Sequence, residues 1–110
     1  MRSYDGAVIK GHLDMLLLAI LESEPSHGYK VVQQLKVRSG SAFDLAEGTV
    51  YPALHRLESE GLLKSGWETK GGKRRRTYKI TRQGKAALSA RREDWKGFAE
   101  AVSTVIEGGA

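Results

Sequence analysis

The apolar residues change their spacing along the chain, and the changes mark its elements. From Leu13 to Ser23, the positions Leu13, Leu16, Leu17, Ile20 and Leu21, filled in by Leu18 and Ala19, cover most of the circumference of a helix. Such a helix needs cover on several sides. Pro25 breaks the pattern, and Ser26 offers a hydroxyl N-cap to a second helix, His27 to about Arg38, with Tyr29, Val32 and Leu35 facing inward. Gly28 in its first turn predicts close helix packing, and Ser39, Gly40 and Ser41 end it. A third helix follows in "GTVYPALHRLESEGLL", Gly48 to Leu63. Val50, Leu54 and Leu57 form its buried stripe, while Tyr51, Pro52, His55, Arg56 and Ser59 fall toward the other side. Proline is tolerated in a first turn, where helical N–H groups lack partners. The helix is therefore predicted to begin near Thr49, capped by its hydroxyl, and to end at Gly61 in a left-handed cap.

After Gly61 the period becomes two. "LLKSGWETKGGKRRRTYKIT" predicts a two-stranded hairpin turning at Gly71 and Gly72, with Leu63, Ser65, Trp67 and Thr69 on one face. An isolated hairpin is barely stable in water, so this one should lean on the helices through Leu63, Trp67, Tyr78 and Ile80. Thr81 can cap a last helix from about Arg82 to Glu107, about 40 Å long at 1.5 Å per residue. Leu88, Trp95 and Val102 recur in it every seven residues, joined by Phe98, Ala99, Val105 and Ile106. That spacing asks for a helical partner, either the first helix or a second copy of the chain, and a homodimer is the economical answer. Arg91 and Arg92 interrupt the repeat, so no long regular coiled coil is predicted.

Composition narrows the class. A chain of 110 residues makes one small folded unit, and its hydrophobic share of 40% and charged share of 28% are ordinary for a globular protein. The absence of cysteine excludes disulfides and thiolate metal sites. The longest apolar run, Met15 to Leu21, is far shorter than the roughly 20 residues of a membrane span, and the N-terminus lacks a signal-peptide pattern, so a cytoplasmic address is expected. His12, His27 and His55 have no metal-ligand spacing, no GxSxG or phosphate loop is present, and the acids are scattered. Neither enzyme chemistry, a metal nor a cofactor is expected.

Charge distribution says more than its total. The chain carries +5, yet from Leu62 to Lys85 nine basic residues face the single acid Glu68, so that stretch carries +8 and the remainder −3. Such a run is either a solvated face or a surface for an anion. Its placement on a hairpin favours the second: Lys70, Lys73, Arg74 and Arg75 at the tip should meet phosphates. Lys30 and Lys36 read as solvated single lysines.

Three helices followed by a basic hairpin is the order of a winged helix-turn-helix, mainly α with a small β-hairpin. In such a unit the third helix enters the major groove, about 12 Å wide. Thr49, Tyr51, His55 and Arg56 are its candidate DNA-binding residues, although Tyr51 can instead pack against the second helix. The sequence also resembles the PadR family of winged-helix transcriptional regulators. The matching segments are "HGYKVVQQL", "GTVYPALHRLESEGLL", and "GGKRRRTYKIT" followed by "RQGKAAL", in the expected order across most of residues 13–95. The length fits the short branch of the family, with residues 1–81 as the DNA-binding domain and residues 82–110 as the dimerisation helix of one compact unit.

The resemblance implies a homodimeric repressor or activator of a nearby gene. It would bind a two-fold symmetric operator in double-stranded DNA and be released by a small planar or phenolic effector. It also implies dimerisation mainly through the last helix, where Leu88, Trp95, Phe98, Val102 and Val105 form the seam. Trp95 resembles the aromatic residue that stacks on flat ligands in multidrug-responsive members, and Asp14, Met15 and Arg92 would be its neighbours. Interface packing alone is the competing role for Trp95. Two other functions stay open from the residues: a winged-helix module that binds an acidic protein, and a nonspecific nucleic-acid binder.

Overall fold

A computed structural model of the chain describes Tyr4 and residues 9–108. Helix α1 (Leu13–Ser23) buries Leu17, Leu18, Ile20 and Leu21. It is followed by strand β1 (Ser26–His27), helix α2 (Gly28–Arg38), helix α3 (Glu47–Ser59), strands β2 (Leu63–Lys70) and β3 (Lys73–Ile80), and helix α4 (Arg82–Ile106). The fold is mainly helical with one antiparallel sheet in the order β1-β3-β2, which makes a winged helix-turn-helix with a long C-terminal helix.

Strand β1 holds too few residues for any periodicity to reveal it. Its pairing with β3, Ser26 opposite Tyr78 and His27 opposite Thr77, defines it. That pairing takes Ser26 out of the capping role predicted for it. Ser26 is buried and its hydroxyl donates to the Glu24 carbonyl at 3.4 Å, while His27 caps α2 by accepting the Lys30 N–H at Nδ1, 3.3 Å away. The inward face of α2 is set by Val31 and Leu35, four residues apart. Tyr29, two residues before Val31, lies off that face and is 52% exposed, contrary to the inward position expected.

Helix α3 buries Val50, Leu54 and Leu57 as its spacing predicts, together with Ala53. Its start differs. The helix begins at Glu47 after Ala46, whose carbonyl accepts the amides of Thr49 at 3.0 Å and Val50 at 3.2 Å, so Thr49 is inside the helix and caps nothing. Pro52 consequently sits beyond the free first turn, and its missing N–H leaves the Gly48 carbonyl without its usual helical donor. The C-terminus is as predicted. Gly61 has φ +79°, its amide reaches Glu58 O at 3.0 Å and the Leu62 amide reaches Leu57 O at 3.0 Å, the pair of bonds that closes a Schellman cap.

Strands β2 and β3 pair from Leu63–Ile80 to Lys70–Lys73, and Gly71 and Gly72 turn the hairpin with φ of +59° and +77°, values that favour glycine at both positions. Leu63 and Tyr78 are buried, with Ile80 packed beside them. Trp67 does not join them. It lies four residues nearer the tip than Leu63, about 13 Å along the strand, beyond the reach of the helices, and is 58% exposed.

Thr81 secures the start of α4 as predicted: its hydroxyl accepts the Gly84 amide at 3.0 Å and donates to the Gly61 carbonyl at 2.7 Å. Gly84 has no room for a side chain, since a Cβ would lie 2.1 Å from the Leu62 carbonyl oxygen. One turn on, Leu88 is fully buried in the chain's own core, so it drops out of the exposed seam to which its spacing assigned it. Past Leu88 no described residue of the helix is fully buried. Trp95, Phe98, Val102, Val105 and Ile106 are all exposed large apolar side chains. The radius of gyration is 15.5 Å and the extents are 59 × 32 × 20 Å, against a radius of about 13 Å for a compact chain of this length. Among the described residues no helix is long and apolar enough to cross a membrane.

Candidate nucleic-acid interface

The outer side of α3 carries the exposed residues Thr49, Pro52, His55, Arg56 and Ser59. Between it, the N-terminus of α2 and strand β3 lies an open cleft of about 590 Å³. His27, Tyr29, Tyr51, His55, Lys73, Arg75, Arg76 and Tyr78 line it, and among the described residues no carboxylate does. Tyr51 is half-buried against α2, where a Cβ on Gly28 would come within 2.6 Å of the ring, so Gly28 is the close approach its position predicts. Burial, then the nearby Glu47 and Tyr29, raises the Tyr51 hydroxyl above its usual pKa, which keeps it a neutral hydrogen-bonding phenol.

His27 joins the cap of α2 to the wing. Its Nε2 lies 3.0 Å from Arg75 Nη1, while Nδ1 accepts from the Lys30 amide. Burial, followed by the charges of Arg75, Lys30 and Lys70, lowers its pKa below the ordinary histidine value. The ring is therefore neutral near pH 7, and a neutral imidazole has a single acceptor nitrogen. The cap and Arg75 compete for it. Its ring stacks parallel to Tyr29 at 6.5 Å, forming one wall of the cleft.

The predicted cations differ in their surroundings. Lys70, Lys73 and Arg74 are exposed at the tip of the wing, whereas Arg75 is half-buried beside His27. Arg76, which charge counting did not single out as a site residue, ties the wing to α3: its Nη2 lies 3.1 Å from Glu58 Oε1 and its Nε donates to Ser65 Oγ at 2.8 Å. Arg56 is tied too. Its guanidinium is bidentate on Asp14 of α1, with one bond of 2.9 Å, and lies 3.5 Å from Glu60. Asp14 also receives Arg91 of α4 at 3.2 Å. The hydrogen bonds from Arg56 are the largest cause holding the Asp14 carboxyl below its usual pKa, and those to Asp14 raise the Arg56 pKa further. Arg56 is thus a clamp between helices and not a free cation. Its positive charge and its place on α3 were legible; a partner forty-two positions away was not.

On the opposite side, α1 and α4 enclose a second cleft. One part of about 560 Å³ is lined by Tyr4, Ile9, His12, Met15, Leu16, Phe43, Trp95 and Phe98, and an adjoining part of about 400 Å³ adds Asp14, Arg91 and Asp94. The Trp95 ring meets His12 edge-on at 5.3 Å and Phe98 at 6.3 Å. The structure thus brings together Asp14, Met15 and Trp95 but not Arg92. Arg92 pairs with Glu22 at 2.8 Å, and its neighbour Arg91 takes the place expected of it. The residues differ by one helical step of about 100°, which sequence spacing does not resolve once the helix phase shifts.

The profile of the transcriptional regulator PadR-like family matches residues 17–90. The chain is 34% identical over 108 residues to the transcriptional regulator Rv3488 of Mycobacterium tuberculosis, an alignment that covers 98% of this chain and 92% of that one. Among solved structures it is similar to a PadR family transcriptional regulator from Eggerthella lenta, with a TM-score of 0.82, 34% identity and coverage of 92% and 87% of the two chains. A transcriptional regulator from Clostridium thermocellum superposes with a TM-score of 0.84 at 27% identity, covering 92% of this chain and 96% of the other.

Proposed function

Because the chain belongs to the PadR-like family of transcriptional regulators, matched from residue 17 to residue 90 of 110, we propose that it is a homodimeric repressor that binds a two-fold symmetric DNA operator and leaves it when a small planar or phenolic compound binds. The observation that carries this reading is the carboxylate-free cleft between α3 and β3, bordered by the exposed cations of the wing. An anionic backbone following that cleft meets Lys73 and Arg75 in its wall and Lys70 beside it. Thr49, Tyr51 and His55 then face base edges or the adjacent phosphate, and Arg74 reaches the backbone beyond.

The uncovered stripe on α4 supports dimerisation. Trp95, Phe98, Val102 and Val105 are large apolar side chains exposed along one helix, an arrangement that marks an interaction surface. A second copy covers it with the same stripe. The cleft beside Trp95 and Met15 then lies next to the seam, where an occupant changes how the two copies meet. Such a regulator acts in the cytoplasm.

Protection of the chain's own upstream DNA from nuclease tests the reading. The expected footprint is two-fold symmetric, with half-sites about one helical turn apart. Absence of any protection would point to a protein-binding module. Protection without a boundary, lost equally for all sequences as salt rises, would point to a nonspecific binder.

A further inference from the structure

Trp67 is the one large aromatic of the wing that the core does not use. At 58% exposed it is more open to water than Trp95, so burial does not account for an indole at this place. Its neighbours do. The strand register sets Trp67 directly opposite Arg76 and places Arg74, opposite Thr69, on the same face one step nearer the tip. The Arg76 guanidinium lies 5.9 Å from the indole centroid and that of Arg74 only 4.7 Å, both within cation–π range.

The two arginines are held differently. Arg76 is fixed to the body of the protein by Glu58 and Ser65, so one of the indole's two cationic neighbours is anchored. Arg74 has no carboxylate within ion-pair distance among the described residues, and the indole is what it lies against. This difference matters for an anion. A carboxylate would orient Arg74 but cancel its charge and would have to be displaced by a phosphate. An aromatic face restrains the guanidinium while leaving its charge uncancelled and its N–H edge free for bidentate hydrogen bonds.

We infer that Trp67 is a positioning residue for DNA binding: lying against both anchored Arg76 and free Arg74, it presents the Arg74 guanidinium, charged and oriented, to a DNA phosphate. The inference rests on the DNA-binding function proposed above. Trp67 itself need not touch the duplex, since its effect passes through Arg74. An unrestrained arginine at the tip would lose more side-chain freedom on binding, and that loss is what the indole prevents.

A double-mutant cycle on the full chain tests it, with affinity for a duplex of the upstream region read by fluorescence anisotropy across a salt series. Trp67→Leu is expected to weaken binding about two- to fivefold, the fold-change that corresponds to an exposed cation–π contact. Arg74→Gln should lower the slope of log affinity against log salt by about 0.9, the signature of one lost phosphate. In the Arg74→Gln background, Trp67→Leu should change nothing, and Trp67→Phe in the wild-type background should retain most of the affinity. Unfolding midpoints of these variants should match the wild type, because neither side chain is buried. An equal loss from Trp67→Leu in both backgrounds overturns the inference, since the indole would then act without Arg74. Unchanged binding by Trp67→Leu overturns it as well while leaving DNA binding intact. A wild-type chain that binds no duplex removes the underlying function and the inference together.

Discussion

His27 serves two neighbours with one ring, and its proton balance makes that visible. Its pKa is held below the ordinary value by burial and then by the cations Arg75, Lys30 and Lys70. A depressed histidine pKa means that the unfolded chain takes up the proton first as pH falls. The stability linked to neutral His27 is therefore complete above the ordinary value near 6.5 and is lost below it. Thermal unfolding should show a midpoint that falls between about pH 7 and about pH 5.5. That window lies above the one in which Asp14 and Glu22, both lowered by arginine partners, begin to protonate. His27→Asn, which keeps an N-cap acceptor that does not titrate, should flatten the fall; an unchanged profile would assign the proton elsewhere. Some single residues were readable from type alone: Thr81 as a cap, Gly61 as a left-handed terminus, Gly28 as a close approach. His27 was not, because Ser26 beside it is the better cap by residue type and only its pairing with Tyr78 takes it away.

At the scale of elements, helix α3 keeps a proline where a helix does not favour one. The predicted start, capped by Thr49, would have put Pro52 in the free first turn, but the helix gains three residues at its front and Pro52 is left inside. Pro52 is exposed, so Pro52→Ala removes no core contact and restores a donor to the Gly48 carbonyl. The expected result is a gain of about 1–3 kcal/mol, seen as a raised midpoint in denaturant unfolding, and no gain would mean that the proline ring compensates through its own packing. Helix stripes were legible where repeated spacing sets the buried face, as for Val50, Leu54 and Leu57. Strand β1 was not, since two residues depend wholly on a partner strand fifty positions away. The hairpin was legible as an element, while the inward role expected of Trp67 failed because alternation tells which face a residue shares and not how far the helices extend beneath it.

For the whole molecule, the uneven charge and the bare apolar helix are the two dominant surfaces. The first was plain from the nine basic residues between Leu62 and Lys85, and the second from the seven-residue spacing, although the fully buried Leu88 shows that the spacing begins inside the core before it leaves it. Replacing both Phe98 and Val102 with Glu would put unpaired charge into any seam formed by α4. Sedimentation should then report monomers, with duplex affinity reduced by at least tenfold from the loss of the second half-site, a magnitude of the order expected when linked binding is broken. Dimers that persist in this variant would place the seam on another face. The way α4 is rooted adds a mechanical consequence. Gly84 presses against Leu62, Leu88 is locked in the core, and Arg91 and Arg92 are pinned to α1, so the 14 residues from Glu93 to Ile106, about 21 Å of helix, lie beyond the last ion pair to the body. A rotation of about ten degrees at that root swings the far end by about 4 Å, so in the proposed dimer a slight shift at the shared carboxylate of Asp14 would change how far apart the two wings are carried.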